Sequence, residues 1–240
     1  MGEIISLLTS FFWAGTSSAF TVSSGIAGHR VVNRTRLLFA VPLLTLTHLA
    51  VMGTLIPVDA GWQRWGWLAL SGVIGLIMGD HFLLKSFSTL GSHLGMLVFS
   101  SSPLMSALFA WLAFGEKLSV QDLLGIGLTV GGIVLVVWEK NEGSRTVDDR
   151  AQLVKGAGAA LLAAAGQAMG LILAKKGMQG DFSAFSAVVI RMLAAVSVIW
   201  IAALLKRQAR ETLAFLGRNR YTYFLLIGTF LGPYIGVWFS

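Results

Sequence analysis

The sequence contains no cysteine, which excludes disulfides, thiolate catalysis and cysteine-ligated metals. Charge is nearly as scarce. Asp, Glu, Lys and Arg make up 12 % of the 240 residues, about half of the ~25 % usual in soluble domains. No Gly-x-Ser-x-Gly or His-Glu-x-x-His motif occurs, and His29, His48, His81 and His93 show no metal-ligand spacing. Nor is there a basic patch interleaved with aromatics, so the net charge of +7 is not the footprint of a nucleic-acid binder. No cofactor is expected.

What the chain has instead is apolar length. Hydrophobic residues make up 55 % of it, and the mean hydropathy is +0.77. Eight apolar segments stand out, at 4–20, 37–56, 65–84, 94–114, 120–138, 157–174, 182–205 and 221–240. They approach or reach the ~20 residues that cross a bilayer as helix. They are apolar all round, whereas the strands of a membrane barrel alternate. The expected class is an all-α, polytopic bundle of about eight transmembrane helices in the cytoplasmic membrane, with lipids as its surroundings. The first segment follows Glu3 and no Lys or Arg, so it reads as an uncleaved span rather than a signal peptide. Trp62, Trp65 and Trp67 mark one helix start and Trp138 and Tyr221 other ends, as an interfacial aromatic belt. Ser119-Val-Gln-Asp122 reads as a capping box opening the fifth helix. His48 stands alone in the second helix and reads as a helix-contact residue.

Thirteen of the eighteen Lys and Arg fall on one side of an eight-span topology. Five, namely Arg64, Lys117, Lys175, Lys176 and Arg191, fall on the other. The positive-inside rule then places the amino terminus outside and the 139–155 loop in the cytoplasm.

The two parts of the chain also match each other. At an offset of 154, Leu7-Leu8 falls on Leu161-Leu162 and Trp13-Ala14 on Gln167-Ala168. Arg36 falls on Arg191 after one inserted residue, and Gly75 and Gly79 fall on Gly232 and Gly236 at offset 157. A repeat of five helices is odd-numbered, so its second copy sits inverted, the usual architecture of secondary transporters. The expected organisation is a first five-helix repeat at 1–139, a polar connection at 140–155 and an incomplete three-helix second repeat at 156–240.

The stretch from Leu90-Gly-Ser-His-Leu-Gly-Met-Leu-Val-Phe-Ser-Ser-Ser-Pro-Leu104 into Leu112-Ala-Phe-Gly-Glu-Lys-Leu-Ser-Val-Gln-Asp-Leu-Leu-Gly125 resembles the EamA-type drug/metabolite transporters. In that family a helix with a proline ends in a Gly-Glu-(Arg/Lys)-Leu-(Ser/Thr) turn, followed by a helix with spaced glycines. Here those glycines are Gly125, Gly127, Gly131 and Gly132. The resemblance implies two inverted five-helix repeats and transport of small organic metabolites by alternating access, with export the commoner direction. It also implies two further helices beyond those in this sequence, so the chain reads as a truncated transporter that is not transport-competent as it stands, or else as a short form that completes its bundle as a homodimer.

Within that frame the substrate-pathway or coupling residues are Trp13, Ser17, Asp80, His81, Ser100, Pro103, Gln167, Lys175 and Arg191. Asp80 lies near the end of the third helix. It is expected to accept a coupling proton, from His81 or Lys85, or to form a structural ion pair with Lys85 or with another segment. Asp80 falls on Val237 in the second repeat, so its role is performed once. Arg36 and Arg191 either snorkel to the head groups, the favoured reading, or hold a substrate carboxylate or phosphate. Trp13 and Gln167, being repeat mates, are expected on facing walls of one cavity. Ser17 and Ser18 offer orienting hydrogen bonds or interhelical contacts. Ser100 and the kink at Pro103 line a path, with the serine hydroxyls satisfying the backbone groups that proline frees. The glycine rows Gly72/Gly75/Gly79, Gly127/Gly131, Gly166/Gly170 and Gly228/Gly232/Gly236 are expected to pack helices. Two other classes remain: a membrane-embedded enzyme acting on lipid or isoprenoid substrates, built on Asp80, His81 and His93, and a non-transporting helper subunit.

Overall fold

The computed structural model describes residues 2–115, 118–142, 147–218 and 222–230. Glu116 and Lys117, Tyr221, Gly232, Gly236 and Val237 lie outside them. Among the described residues all regular structure is helical. The helices are α1 (Gly2–Ala27), α2 (His29–Met52), α3 (Trp62–Gly72), α4 (Asp80–Phe99), α5 (Ser102–Phe114), α6 (Val120–Glu142), α7 (Val147–Gly177), α8 (Ala184–Leu205), α9 (Ala209–Arg218) and α10 (Thr222–Thr229). A π-helical segment, Val73–Gly79, joins α3 to α4. Five described stretches are long and apolar enough to cross a membrane: His29–Met52, Trp62–Phe99, Val120–Glu139, Asp149–Gly177 and Ala184–Leu205. This is an all-α, multi-pass membrane protein.

Gly91 (φ 80°, ψ 166°) is the one non-helical residue inside α4. A Cβ added at Gly95 would lie 2.8 Å from the Phe87 ring and 2.9 Å from Ser86 Oγ. In an unbroken helix residues eight or nine apart are separated by ~12 Å, so the chain turns back at Gly91 and α4 is a helical hairpin. That positive φ suits only glycine. The fourth expected helix is itself in two pieces. It breaks at Ser100–Ser101 and restarts as α5 with Pro103 in the first turn, where a missing N–H is tolerated. Ser100 Oγ donates to the Leu97 carbonyl at 2.6 Å, and Ser101 Oγ to the Val98 carbonyl at 2.8 Å. The hydroxyls thus serve the Leu97 and Val98 carbonyls before the break and not the Phe99 carbonyl that Pro103 was expected to free.

The π segment is where the helices come closest. Its closing bond runs from the Asp80 N–H to the Gly75 carbonyl, five residues back, the signature of an inserted residue in a helix. A Cβ on Gly170 would lie 2.9 Å from Gly75 Cα, and one on Gly166 would lie 3.0 Å from Gly79 Cα. On the other side, a Cβ on Gly72 would lie 2.3 Å from the Arg191 carbonyl oxygen. The Gly72/Gly75/Gly79 and Gly166/Gly170 rows are therefore packing surfaces that let α7 and α8 touch backbone, and Gly228 packs on Phe20 and Ala19. The packing expected of Gly127 and Gly131 is corrected: on the little-contacted α6 they meet nothing among the described residues.

Around this junction α2 packs on α8, and α7 packs along α3, the π segment, α4 and α5. Helix α1 packs on α2, α4 and α10. Leu37, Ala40 and Leu44 of α2 meet Val189, Met192 and Ala195 of α8 in one apolar cluster. A second cluster joins Phe20, Val32, Leu83, Phe87, Ala163 and Leu225. Helix α6 makes few contacts with the rest of the bundle among the described residues, and its Leu124, Leu128 and Leu135 are exposed.

Two stretches expected to be loops are helical. Helix α7 begins at Val147, so much of the polar connection continues as helix. Helix α9 occupies the basic stretch after α8, with Ala209 and Thr212 buried and Arg210, Glu211 and Leu213 exposed, the profile of a helix lying on a surface. The capping box is present. The Ser119 N–H donates to Asp122 Oδ2 at 2.8 Å, and the Asp122 N–H to Ser119 Oγ at 3.2 Å. His48 is a contact residue: its Nε2 pairs with Ser186 Oγ of α8 at 2.9 Å, and its Nδ1 with the Thr54 carbonyl at 2.6 Å.

Candidate functional site

Asp80 directly follows the π segment and is buried. Its Oδ2 accepts from Arg36 Nη2 in a buried ion pair. Arg36 Nε donates to Asn33 Oδ1 at 2.9 Å. Asn33 Nδ2 in turn donates to the Leu76 and Ile77 carbonyls at 3.3 Å each. The Arg36 guanidinium also lies 5.9 Å from the centroid of the Phe20 ring, within cation–π range. Three residues thus tie α2 to the π segment by side chain and by backbone. The ion pair is the cross-segment alternative, not the one with Lys85, which is exposed. The expectation that Arg36 snorkels is corrected. A carboxylate placed by the π turn holds its guanidinium inside, where it is 5 % exposed.

Arg191 lies on the opposite side of the same segment. Its Nε and Nη2 are buried and have no hydrogen-bond partner among the described residues, and the same holds for Gln167 Oε1 on α7. Both groups flank Gly75, whose added Cβ would lie 3.4 Å from Arg191 Nη2 and 3.5 Å from Gln167 Oε1. The snorkelling expectation is corrected here too: close packing of the Arg191 backbone on Gly72 accompanies a side chain turned along the π segment. The residue as a whole is only half-buried, so part of the side chain is reachable. Arg36 is the seventh residue after the start of α2, and Arg191 the seventh after the start of α8. Each is therefore ~10 Å in along its helix.

A cavity of about 440 Å³ opens beside the first cluster. Arg30, Asn33, Arg34, His81, Lys206 and Gln208 supply its polar lining, and no acidic residue lines it. Arg34 Nη1 donates to Thr212 Oγ1 at 3.3 Å, and its Nη2 to Gln208 Oε1, so this arginine holds α9 in place. The His81 ring meets that of His29 edge-on, with centroids 4.7 Å apart, a pairing that spacing gave no sign of.

Residues 1–138 match the EamA-like transporter family, more than half of the chain. The chain belongs to that family. A relative described as an uncharacterized transporter, from Synechocystis sp. (strain ATCC 27184 / PCC 6803 / Kazusa), is 29 % identical over 132 residues. The matched region covers 55 % of this chain and 39 % of that protein, so this chain matches less than half of its relative's length.

The remaining expected residues of this EamA-like chain are spread through the bundle. Trp13 is half-buried on α1, and neither hydrogen bond nor ring contact joins it to Gln167. Ser17 is buried with its hydroxyl donating to the Ala14 carbonyl at 2.9 Å, so it serves its own helix. Ser18 does the same at 3.1 Å. Lys175 is exposed at the end of α7, and Ser100 and Pro103 are exposed at the break before α5. The structure therefore brings together Asp80 and His81 at one end of the π segment and Gln167 and Arg191 at its middle. Asn33 and Gly75 were missed as members of these groups. The signal for Asn33 was its place one turn before Arg36, on the same helix face.

Proposed function

We propose that this chain is a secondary transporter of small organic metabolites that works by alternating access, with export as its direction. The observation that carries this reading is the pair of buried arginine sites on either side of the π segment. Ionisable groups at membrane depth mark substrate and ion paths, and π segments recur at functional sites. The packing order supports two inverted halves. Helix α1 meets α10 as α7 meets α3 and α4, α2 meets α10 as α8 meets α3, and α2 meets α8. Exchanging the halves maps the first two contacts onto their counterparts and the α2–α8 contact onto itself, consistent with two related repeats.

Asp80 is the carboxylate assigned to proton coupling. A proton on Asp80 removes the charge that holds Arg36 and loosens the link through Asn33 to the π segment. The alternative, a membrane enzyme built on Asp80, His81 and His93, loses support because Asp80 is committed to Arg36 and His93 is exposed. A single-cysteine chain tests alternating access cleanly, since the sequence has no native cysteine. Ala202 lines the 440 Å³ cavity. Labelling of Ala202→Cys from the cytoplasmic face should slow when solute on the far side traps the opposite state. A rate unchanged by every transported solute would contradict the reading.

A further inference from the structure

We propose that Arg191 forms the binding subsite for the anionic group, a carboxylate or phosphate, of an organic solute, with Gln167 beside it to accept from a donor group of the same solute. The inference rests on the transporter reading and names its substrate class.

The argument begins with an imbalance between two matched arginines. Arg36 is neutralised by Asp80 and its Nε is taken up by Asn33. Arg191 occupies the matching place on α8 and has neither kind of partner among the described residues. Its Nε and Nη2 are both buried and unbonded. A buried guanidinium without an anion is costly, and native proteins retain few such groups without a functional reason. Asp80 falls on Val237 in the sequence match, so the second half has no aspartate at the corresponding position. A solute anion would take the part that Asp80 plays for Arg36.

The local chemistry suits that ligand. Adjacent Nε–H and Nη2–H groups form the planar fork that binds carboxylate or phosphate bidentately. Gln167 presents an unbonded Oε1 on the same glycine-floored site, and an amide oxygen accepts from a solute ammonium or hydroxyl. Gly75 keeps the floor between them free of a side chain. The cavity at the other end agrees independently with an anion path. Arg30, Arg34, His81 and Lys206 line it and, among the described residues, no acidic one does, although Glu211 of α9 acts on Arg34 from outside the lining; walls of one sign concentrate solutes of the other.

The test is binding to the purified full chain, so that it does not depend on flux. The probes are benzoate and phenyl phosphate, with benzamide as their uncharged match, read by ligand-induced thermal stabilisation and equilibrium dialysis. Benzoate or phenyl phosphate should bind with benzamide at least tenfold weaker, and the two anions separate carboxylate from phosphate preference. Arg191→Gln should weaken the anion by about 10- to 100-fold, the range for losing a charge-assisted hydrogen bond. Ligand-free Arg191→Met should melt higher than the unaltered chain, because an unpaired charge is removed, whereas Arg36→Met should melt lower. Equal binding of anion and amide would overturn the proposal, as would undiminished anion affinity in Arg191→Gln. So would a fall in melting temperature in Arg191→Met as large as in Arg36→Met, or stabilisation by phosphatidylglycerol micelles and by neither soluble anion. Anion binding that depends on Arg191 in a chain that moves no solute would leave the subsite standing and remove the transport reading.

Discussion

Replacing Asp80 with asparagine keeps the shape of the side chain and removes its charge. In this structure the charge neutralises Arg36, which is 5 % exposed and, among the described residues, has Asn33 as its only other hydrogen-bonding side chain. Stranding one member of a buried ion pair costs about 3–5 kcal/mol, whereas replacing both by apolar groups is often neutral or stabilising. Asp80→Asn should therefore lower stability by about 3 kcal/mol, since its amide oxygen can still accept one bond from Arg36. Asp80→Leu should lose more, near the top of that range. The double variant Arg36→Met with Asp80→Leu should recover most of the loss. Unfolding of the unaltered chain, Arg36→Met, Asp80→Leu and the double variant in one mild detergent, followed by circular dichroism against added denaturing detergent, closes the double-mutant cycle. A coupling energy below about 0.5 kcal/mol, the additivity expected of independent sites, would refute the claim that these residues stabilise each other. It would also remove the link from Asp80 through Arg36 and Asn33 to the π segment.

Three further outcomes follow from the packing and the topology. Gly170→Ala should destabilise by about 1–3 kcal/mol through overpacking, because its Cβ would lie 2.9 Å from Gly75 Cα. Gly125→Ala, with open space around it, should leave the melting curve unchanged or raise it. His48→Ala should cost about 1–3 kcal/mol by leaving Ser186 Oγ without its partner, and wild-type stability in that variant would count against the contact. A cysteine introduced as Ser144→Cys should be labelled only after the cell is opened, and Gln179→Cys from outside intact cells. The reverse pattern would invert the proposed orientation.

The membrane class and most of the helices were legible because apolar runs and their lengths are local properties. The capping box at Ser119–Asp122 was legible for the same reason, and so was the helix-contact role of His48. The break before Pro103 could be read because proline and the serine run are neighbours in sequence. Helix α9 could not be, since a ten-residue helix rich in Arg looks like a cytoplasmic loop until Arg34 is seen to hold its start. The ion pair was only half legible. Asp80 was recognisable as an ionisable residue at depth, but its partner lies 44 residues away on a neighbouring helix. Which helix that is depends on glycine-to-glycine packing at the π segment. Arg191 misled for a related reason. Seven residues from a helix start is within snorkelling reach, and only the contact of its backbone with Gly72 shows where the side chain goes.

The central proposal, set against the expectation that a truncated chain would not transport, is that the chain carries solutes across a membrane. The direct measurement is flux of labelled small carboxylates into proteoliposomes that hold the purified chain in one orientation, with the pH gradient set in either direction. The account predicts uptake that saturates with solute, reverses with the proton gradient and loses its gradient dependence in Asp80→Asn. Flux equal to that of empty liposomes, from protein shown to be folded and inserted, would contradict it.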